Sequence, residues 1–144
     1  YLKALIILRL PSVWGKNAPG SFQLIEKIIK NKIPLPLKSI KNKRPYININ
    51  FLVDKIFEII NVIQIKSIRK NYKFEISDGD YSLFEIIQKI SYENNKSIII
   101  FHFPVIIIKL FLIILFKKDL LYQIFNPLEI NNKKITKFLS IEKE

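Results

Sequence analysis

The 144-residue sequence predicts an α/β fold, and three observations carry that expectation. Short apolar runs of strand character alternate with longer stretches whose apolar residues recur at helical spacing. Proline, glycine, serine and asparagine punctuate the junctions. The apolar share is 49%, enough to build a core in a chain of one domain's length, and no repeat period is visible.

Residues 2–10 are short, apolar and ended by Pro11, which predicts a strand buried on both faces. Residues 11–20 read as a loop, after which Ser21 is placed to cap a helix with Phe22, Ile25, Ile28 and Ile29 on one face, stopping near Asn31. The prolines of Ile33-Pro34-Leu35-Pro36-Leu37 forbid a helix and predict an exposed extended segment. A strand over 46–49 leads to Asn50 as the cap of a helix whose Leu52, Val53, Ile56, Ile59, Ile60 and Ile63 face a core. Residues 72–76 alternate with period two, as a strand does, and Ser77-Asp78-Gly79-Asp80 closes it as a turn. Ser82 and Glu85 have capping-box spacing, ahead of a helix with Leu83, Ile86, Ile87 and Ile90 on one face.

The run 98–116 approaches the length of a membrane span, but His102, Pro104 and Lys109 interrupt it. The preferred reading is a buried strand over 98–103 and then, from Pro104, a buried or interfacial helix. Beyond it, a strand over 128–130 and a helix over 132–139 complete the pattern.

Several function classes lack material. With no cysteine there is no disulfide, thiolate metal site or cysteine nucleophile, and the expected compartment is a reducing cytoplasm. The single histidine, His102, lies in an apolar run and reads as a core or edge residue, so no hydrolytic triad can be written. No His, Asp or Glu pair has metal-ligand spacing with a third member. A net charge of +12 suits a polyanion, yet the lysines are dispersed and form no basic stripe with interleaved aromatics, so no nucleic-acid partner is expected. The chain begins with tyrosine and has neither a charged leader nor a cleavage site, so it reads as the interior of a longer protein rather than as a signal peptide.

Five ordered segments then stand out: Leu8-Arg9-Leu10-Pro11-Ser12-Val13-Trp14-Gly15, Ile33-Pro34-Leu35-Pro36-Leu37, Asn42-Lys43-Arg44-Pro45-Tyr46-Ile47-Asn48-Ile49, Leu52-Val53-Asp54 and Ser77-Asp78-Gly79. In order and spacing they resemble the C-terminal half of extended short-chain dehydrogenase/reductases, specifically the NAD-dependent nucleotide-sugar epimerase/dehydratase family with its UDP-sugar 4-epimerase-like members of surface-polysaccharide synthesis. The resemblance implies the last strands of a Rossmann sheet plus a small α/β substrate-binding domain. Residues 1–15 and 50–92 would then pack on the missing Rossmann half.

The resemblance also assigns roles. Pro11 and Trp14 would lie beside NAD, with tryptophan standing where the family has tyrosine. Gly20, Ser21 and Phe22 would meet the nucleotide-sugar at a helix start, where free backbone N–H groups suit a diphosphate. Leu35 and Leu37 would border the uracil. Arg44 would grip the diphosphate with its guanidinium fork and Tyr46 would lie near the same ligand, although Pro45 departs from the family's polar residue. Asp54 and the Ser77-Asp78-Gly79 turn read as architectural, and the family's second arginine has no counterpart near Gln123. The family's Tyr-x-x-x-Lys base and glycine loop have none either, since Gly15, Gly20 and Gly79 are the only glycines. The chain is thus expected to bind a UDP-sugar without holding NAD or catalysing by itself, its parent being a possible homodimer. A small basic membrane-associated protein anchored by 98–116 is the alternative.

Overall fold

The computed structural model describes residues 5–65, 70–114, 125 and 128–140. Along the chain run β1 (Ile6–Arg9), β2 (Ser12–Trp14), α1 (Ser21–Lys30), β3 (Lys43–Asn48), α2 (Ile49–Ile65), β4 (Tyr72–Glu75), β5 (Gly79–Ser82), α3 (Leu83–Glu93), α4 (Val105–Ile114) and α5 (Lys133–Ser140). The fold is mixed α/β, with one sheet of β1 and β4 and another in the order β2-β3-β5. Two compact units divide it: Tyr1–Trp14, Pro45–Gly79 and Glu129–Glu144 form the first, Gly15–Arg44 and Asp80–Leu128 the second.

In the first unit β1 and β4 pair in parallel, Ile6 opposite Tyr72 and Arg9 opposite Glu75. Strand β2 lies parallel to β3, with Ser12 opposite Tyr46 and Trp14 opposite Asn48. Ile47, Leu52, Ile59, Val62, Phe74, Ile76, Ile135 and Phe138 form the buried core. At its edge the Phe138 ring lies 4.9 Å from both Tyr72 and Phe74. Asn132 joins the start of α5 to the end of β4: its Oδ1 accepts from the Ser77 N–H at 2.9 Å and its Nδ2 donates to the Ser77 carbonyl at 2.9 Å.

Several expectations change here. Strand β1 is not buried on both faces; Ile6 and Leu8 pack on the core, whereas Leu5 and Ile7 are 49% and 46% exposed, because this unit covers only one side of the strand. Residues 12–14 and 79–82 are strands rather than loop and turn, since neighbouring strands offer them ladder partners that the local sequence does not reveal. Strand β3 starts at Lys43 and ends at Asn48. The first turn of α2 is capped by Asn48, whose Oδ1 accepts from the Asn50 N–H at 2.9 Å, so Asn50 is the donor and not the cap. On α2, Val53 and Ile60 are exposed while Val62 is buried, because the core face centres on Leu52 and Ile59 and the first two sit on its flank. Residues 128–130 form no strand, and α5 follows them over 133–140.

In the second unit α1 and α3 pack together, with Phe22 and Ile29 buried on one and Ile86, Ile87 and Ile90 on the other. Ser21 is not the cap of α1; Gly20 holds that position, with Ser21 as the first helical residue and no side-chain cap bond. The helix ends at Asn31, and a Schellman pair closes it, Lys32 N–H to the Ile29 carbonyl and Ile33 N–H to the Ile28 carbonyl, each at 3.1 Å. Lys32 takes φ 54° to do this, a left-handed conformation that suits glycine better.

The capping box of α3 is present in full. Ser82 Oγ accepts from the Glu85 N–H at 3.2 Å, and Glu85 Oε2 accepts from the Ser82 N–H at 2.6 Å. That backbone donor and then the Ser82 hydroxyl hold the Glu85 carboxyl below its ordinary range against a smaller opposing effect of burial, and Lys43 at 3.7 Å adds a lesser pull in the same direction as Ser82.

The run 98–103 forms a single bridge, Leu35 to Ile100, instead of a strand, and Ile99 and Phe101 are exposed rather than buried. His102 is also exposed, its Nδ1 3.4 Å from Ser39 Oγ, so it is not a core histidine. Helix α4 begins just after Pro104, whose carbonyl accepts from the Ile107 and Ile108 N–H groups. Of the two alternatives, a buried or an interfacial helix, the buried one does not hold, since only Ile108 among its described side chains is buried. No helix among the described residues is long and apolar enough to cross a membrane.

Three stability changes follow. Phe138→Ala should cost about 3–5 kcal/mol in a denaturant titration, because it empties the aromatic corner between β4 and α5. Lys32→Gly should stabilise by about 0.5–1 kcal/mol by relieving the left-handed backbone. Ser82→Ala should cost about 1 kcal/mol at neutral pH. The folded-state pKa of Glu85 is depressed, so its contribution is complete above the unfolded value of about 4.3 and is lost as pH falls through the folded one. With the side chain 40% exposed, solvent screening holds that contribution below about 1 kcal/mol. Acid titrations of the wild type and Glu85→Gln should therefore converge below that window and separate above it.

Candidate functional site

The nine residues singled out by resemblance fall into two groups. Pro11, Trp14 and Tyr46 belong to the first unit, and Gly20, Ser21, Phe22, Leu35, Leu37 and Arg44 to the second.

Within the first unit, the parallel pairing of β2 and β3 brings the Pro11–Trp14 stretch alongside Tyr46. Pro11 is buried, Trp14 is 5% exposed and Tyr46 8% exposed. Trp14 thus anchors the chain as it leaves β2, and neither Pro11 nor Trp14 offers much side-chain surface. The Tyr46 carbonyl accepts from the Asp78 N–H at 3.0 Å, and Asp78 Oδ2 accepts from the Asn48 N–H at 2.7 Å. The Ser77-Asp78-Gly79 segment therefore fixes the end of β3 through a charge-assisted bond from a carboxylate.

Arg44 and Tyr46 lie two residues apart on β3, so strand alternation sends them to one face, and it sends Pro45 and Ile47 to the other. Ile47 is fully buried in the first unit's core, which fixes the direction of the opposite face. Arg44 is half-buried, and none of the described residues forms an ion pair with it. Its neighbour Lys43 is instead engaged with Glu85 at 3.7 Å.

Gly20 caps α1 at φ 74° and ψ −133°, a conformation essentially reserved for glycine, with open space where a Cβ would stand. Behind it, the backbone N–H groups of Ser21 and Phe22 belong to the first turn of α1, while the Phe22 ring is buried. Glu26, 5% exposed, holds the approach to this turn: its Oε1 accepts from the Asn17 N–H at 3.2 Å, and Lys30 Nζ lies 3.9 Å away. Sequence reasoning passed over Glu26. The available signal was a carboxylate at i+4 on the stripe formed by Phe22 and Ile29.

Leu35 is already engaged. Its N–H donates to the Ile99 carbonyl at 2.9 Å and its carbonyl accepts from the Phe101 N–H at 3.0 Å, while the Leu37 carbonyl accepts from the Ile40 N–H at 3.1 Å. Two hollows, each inside one unit, hold none of the nine residues. One of about 400 Å³ is lined by Arg9, Lys73, Glu75, Asn131 and Lys134, and another of about 450 Å³ lies between Lys38, Phe84, Gln88, Tyr92 and Lys96. Among the described residues, no three His, Asp or Glu side chains converge as a metal site would need.

No protein-family model matches the chain. A protein named UDP-glucose 4-epimerase from Vibrio cholerae is 29% identical over 128 residues, which cover 88% of this chain. The chain spans 38% of the length of that relative. These findings support an epimerase-like relationship for a chain whose fold is mixed α/β.

Proposed function

We propose that this chain is the C-terminal, substrate-binding part of a cytoplasmic NAD-dependent nucleotide-sugar epimerase or dehydratase, and that it binds the UDP-sugar. The observation that carries this reading is the similarity to a UDP-glucose 4-epimerase over most of this chain, and the half-buried Arg44 on β3 supports it. A half-buried guanidinium without an acidic partner among the described residues suits two phosphate oxygens, because its planar fork donates to both at once.

The remaining roles divide by chemistry. The start of α1 behind Gly20, at Ser21 and Phe22, is assigned to the nucleotide-sugar, and the N-terminal end of a helix suits its diphosphate. With the Leu35 N–H spent on Ile99, the contact of this segment with a uracil edge falls to the second lone pair of the Leu35 carbonyl and to Leu37. The β1–β4 pair supports a larger sheet. Parallel strands are ordinarily covered on both faces, and here Leu5 and Ile7 stand half-exposed on a pair of only two described strands. Residues 1–15 and 50–92 are accordingly assigned to contacts with the Rossmann half of the parent.

The chain's own residues do not fit NAD by themselves. Three isolated glycines make no dinucleotide loop, and the buried Pro11 and Trp14 side chains leave only loop backbone to meet a nicotinamide. No step of hydride transfer is assigned to this chain; its share is to hold and orient the sugar nucleotide.

In the full-length protein, Arg44→Ala should raise the Kd for a UDP-sugar by about tenfold or more, the cost of losing charged hydrogen bonds to phosphate. Arg44→Lys should recover only part of that loss. Isothermal titration calorimetry reads both, and an unchanged Kd in Arg44→Ala overturns the assignment.

A further inference from the structure

Helix α4 reverses the usual arrangement of a surface helix. Ile106, Leu110 and Ile114, at i, i+4 and i+8, are 73%, 52% and 70% exposed, and Ile107 and Phe111 beside them are 48% and 61% exposed. At 3.6 residues per turn Ile106, Leu110 and Ile114 form a stripe on the side away from Ile108, the helix's one buried residue among the described side chains, and Ile107 and Phe111 lie on the flank between them. The charge in the helix, Lys109, stands off this stripe with its Nζ 4.6 Å from the centre of the Phe125 ring. A contiguous apolar face of this kind marks a surface that is covered in use.

Charge indicates what covers it. The unit that contains α4 holds 13 of the chain's 24 lysines and arginines but only five of its 12 acidic residues, a net +8 out of +12. A second copy on this face would bring two such surfaces together, and like charge opposes that. An anionic bilayer offers both what the stripe needs and what the charge needs: acyl chains for the isoleucines and phosphate headgroups for the lysines. The ten residues described for α4 rise about 15 Å against a hydrocarbon core of about 30 Å, a length that suits lying in the interface.

We infer that α4 docks the second unit on an anionic lipid surface, with Ile106, Leu110, Phe111 and Ile114 entering the boundary between headgroups and acyl chains. This inference does not rest on sugar-nucleotide binding, and either reading stands without the other.

Flotation of the full chain with vesicles of pure phosphatidylcholine, or of phosphatidylcholine mixed with phosphatidylglycerol, tests it. The chain should float with the mixed vesicles, bind the neutral ones far more weakly and come off in alkaline carbonate. The double variant Ile106→Glu/Leu110→Glu should bind mixed vesicles at least about tenfold more weakly, since it replaces two inserted side chains by charges. Tyr92→Glu, which places the same charge on an 86% exposed residue of α3, should bind as the wild type does. If the double variant melts early in circular dichroism, Ile106→Ser alone reads the same loss at smaller size. Failure to float, flotation that the α4 variants leave unchanged, or retention after carbonate each overturns the proposal. So does a dimer in sedimentation that the double variant dissociates without any lipid binding.

Discussion

Strand β3 works under a period-two constraint, and much of the candidate site depends on it. Ile47 is fully enclosed in the core of the first unit, and Arg44 and Tyr46 consequently share the opposite face. A slip of one residue would drive a guanidinium toward that core and expose Ile47, so the register is strongly determined. The parallel ladder from Ser12–Tyr46 to Trp14–Asn48 holds it from one side. The Asp78 carboxylate holds it from the end, by accepting from the Asn48 N–H at 2.7 Å. The face that carries Arg44 and Tyr46 is therefore specified by a core residue on the other side of the strand.

Features determined within a few residues were legible in the sequence, and features determined across the chain were not. The α3 capping box needs only Ser82 and Glu85, three positions apart, and both of its hydrogen bonds are present. Helix α1 was placed within a residue, yet its cap was misread by one position, because Gly20 satisfies backbone geometry without a side-chain signature. Strands β2 and β5 have three and four residues, too few for a period to show, and they exist through their neighbours in the sheet. The Asn132–Ser77 clamp spans 55 residues, and no local pattern marks that asparagine as its partner. Helix α4 shows the same limit in another form: hydropathy left a buried and an interfacial helix both open, because it reports only what a residue prefers, and the surroundings that satisfy it lie outside the segment.

Polar side chains that reach backbone donors recur wherever two segments meet. Asp78 takes the Asn48 N–H, Asn132 takes the Ser77 N–H and Glu26 takes the Asn17 N–H. Each satisfies a donor near an element boundary, where the regular ladder or helix leaves it unpaired. Two of the three acceptors are carboxylates, whose bonds to N–H groups are shorter and stronger than neutral ones. Glu26 is the most demanding case, because a carboxylate at 5% exposure tolerates burial only with such partners, and Lys30 is the other charge beside it.

The charge balance bears on how recognition can work in the second unit. A net +8 attracts any polyanion, so long-range attraction raises the local concentration of phosphate compounds without choosing among them. Discrimination then has to come from groups with fixed directions. Arg44 is suited to this because it rises from a strand and is half-buried, which restricts its rotamers, whereas Lys16 and Lys41 are exposed and remain solvated. The first-turn amides of α1 are directional for the same reason: their N–H vectors are set by the helix, and Glu26 steadies the loop that leads into it. Salt would screen the diffuse field more strongly than it would any contact made at a half-buried guanidinium. Under the proposed sugar-nucleotide role, long-range attraction and selectivity at contact in this unit fall to different residues.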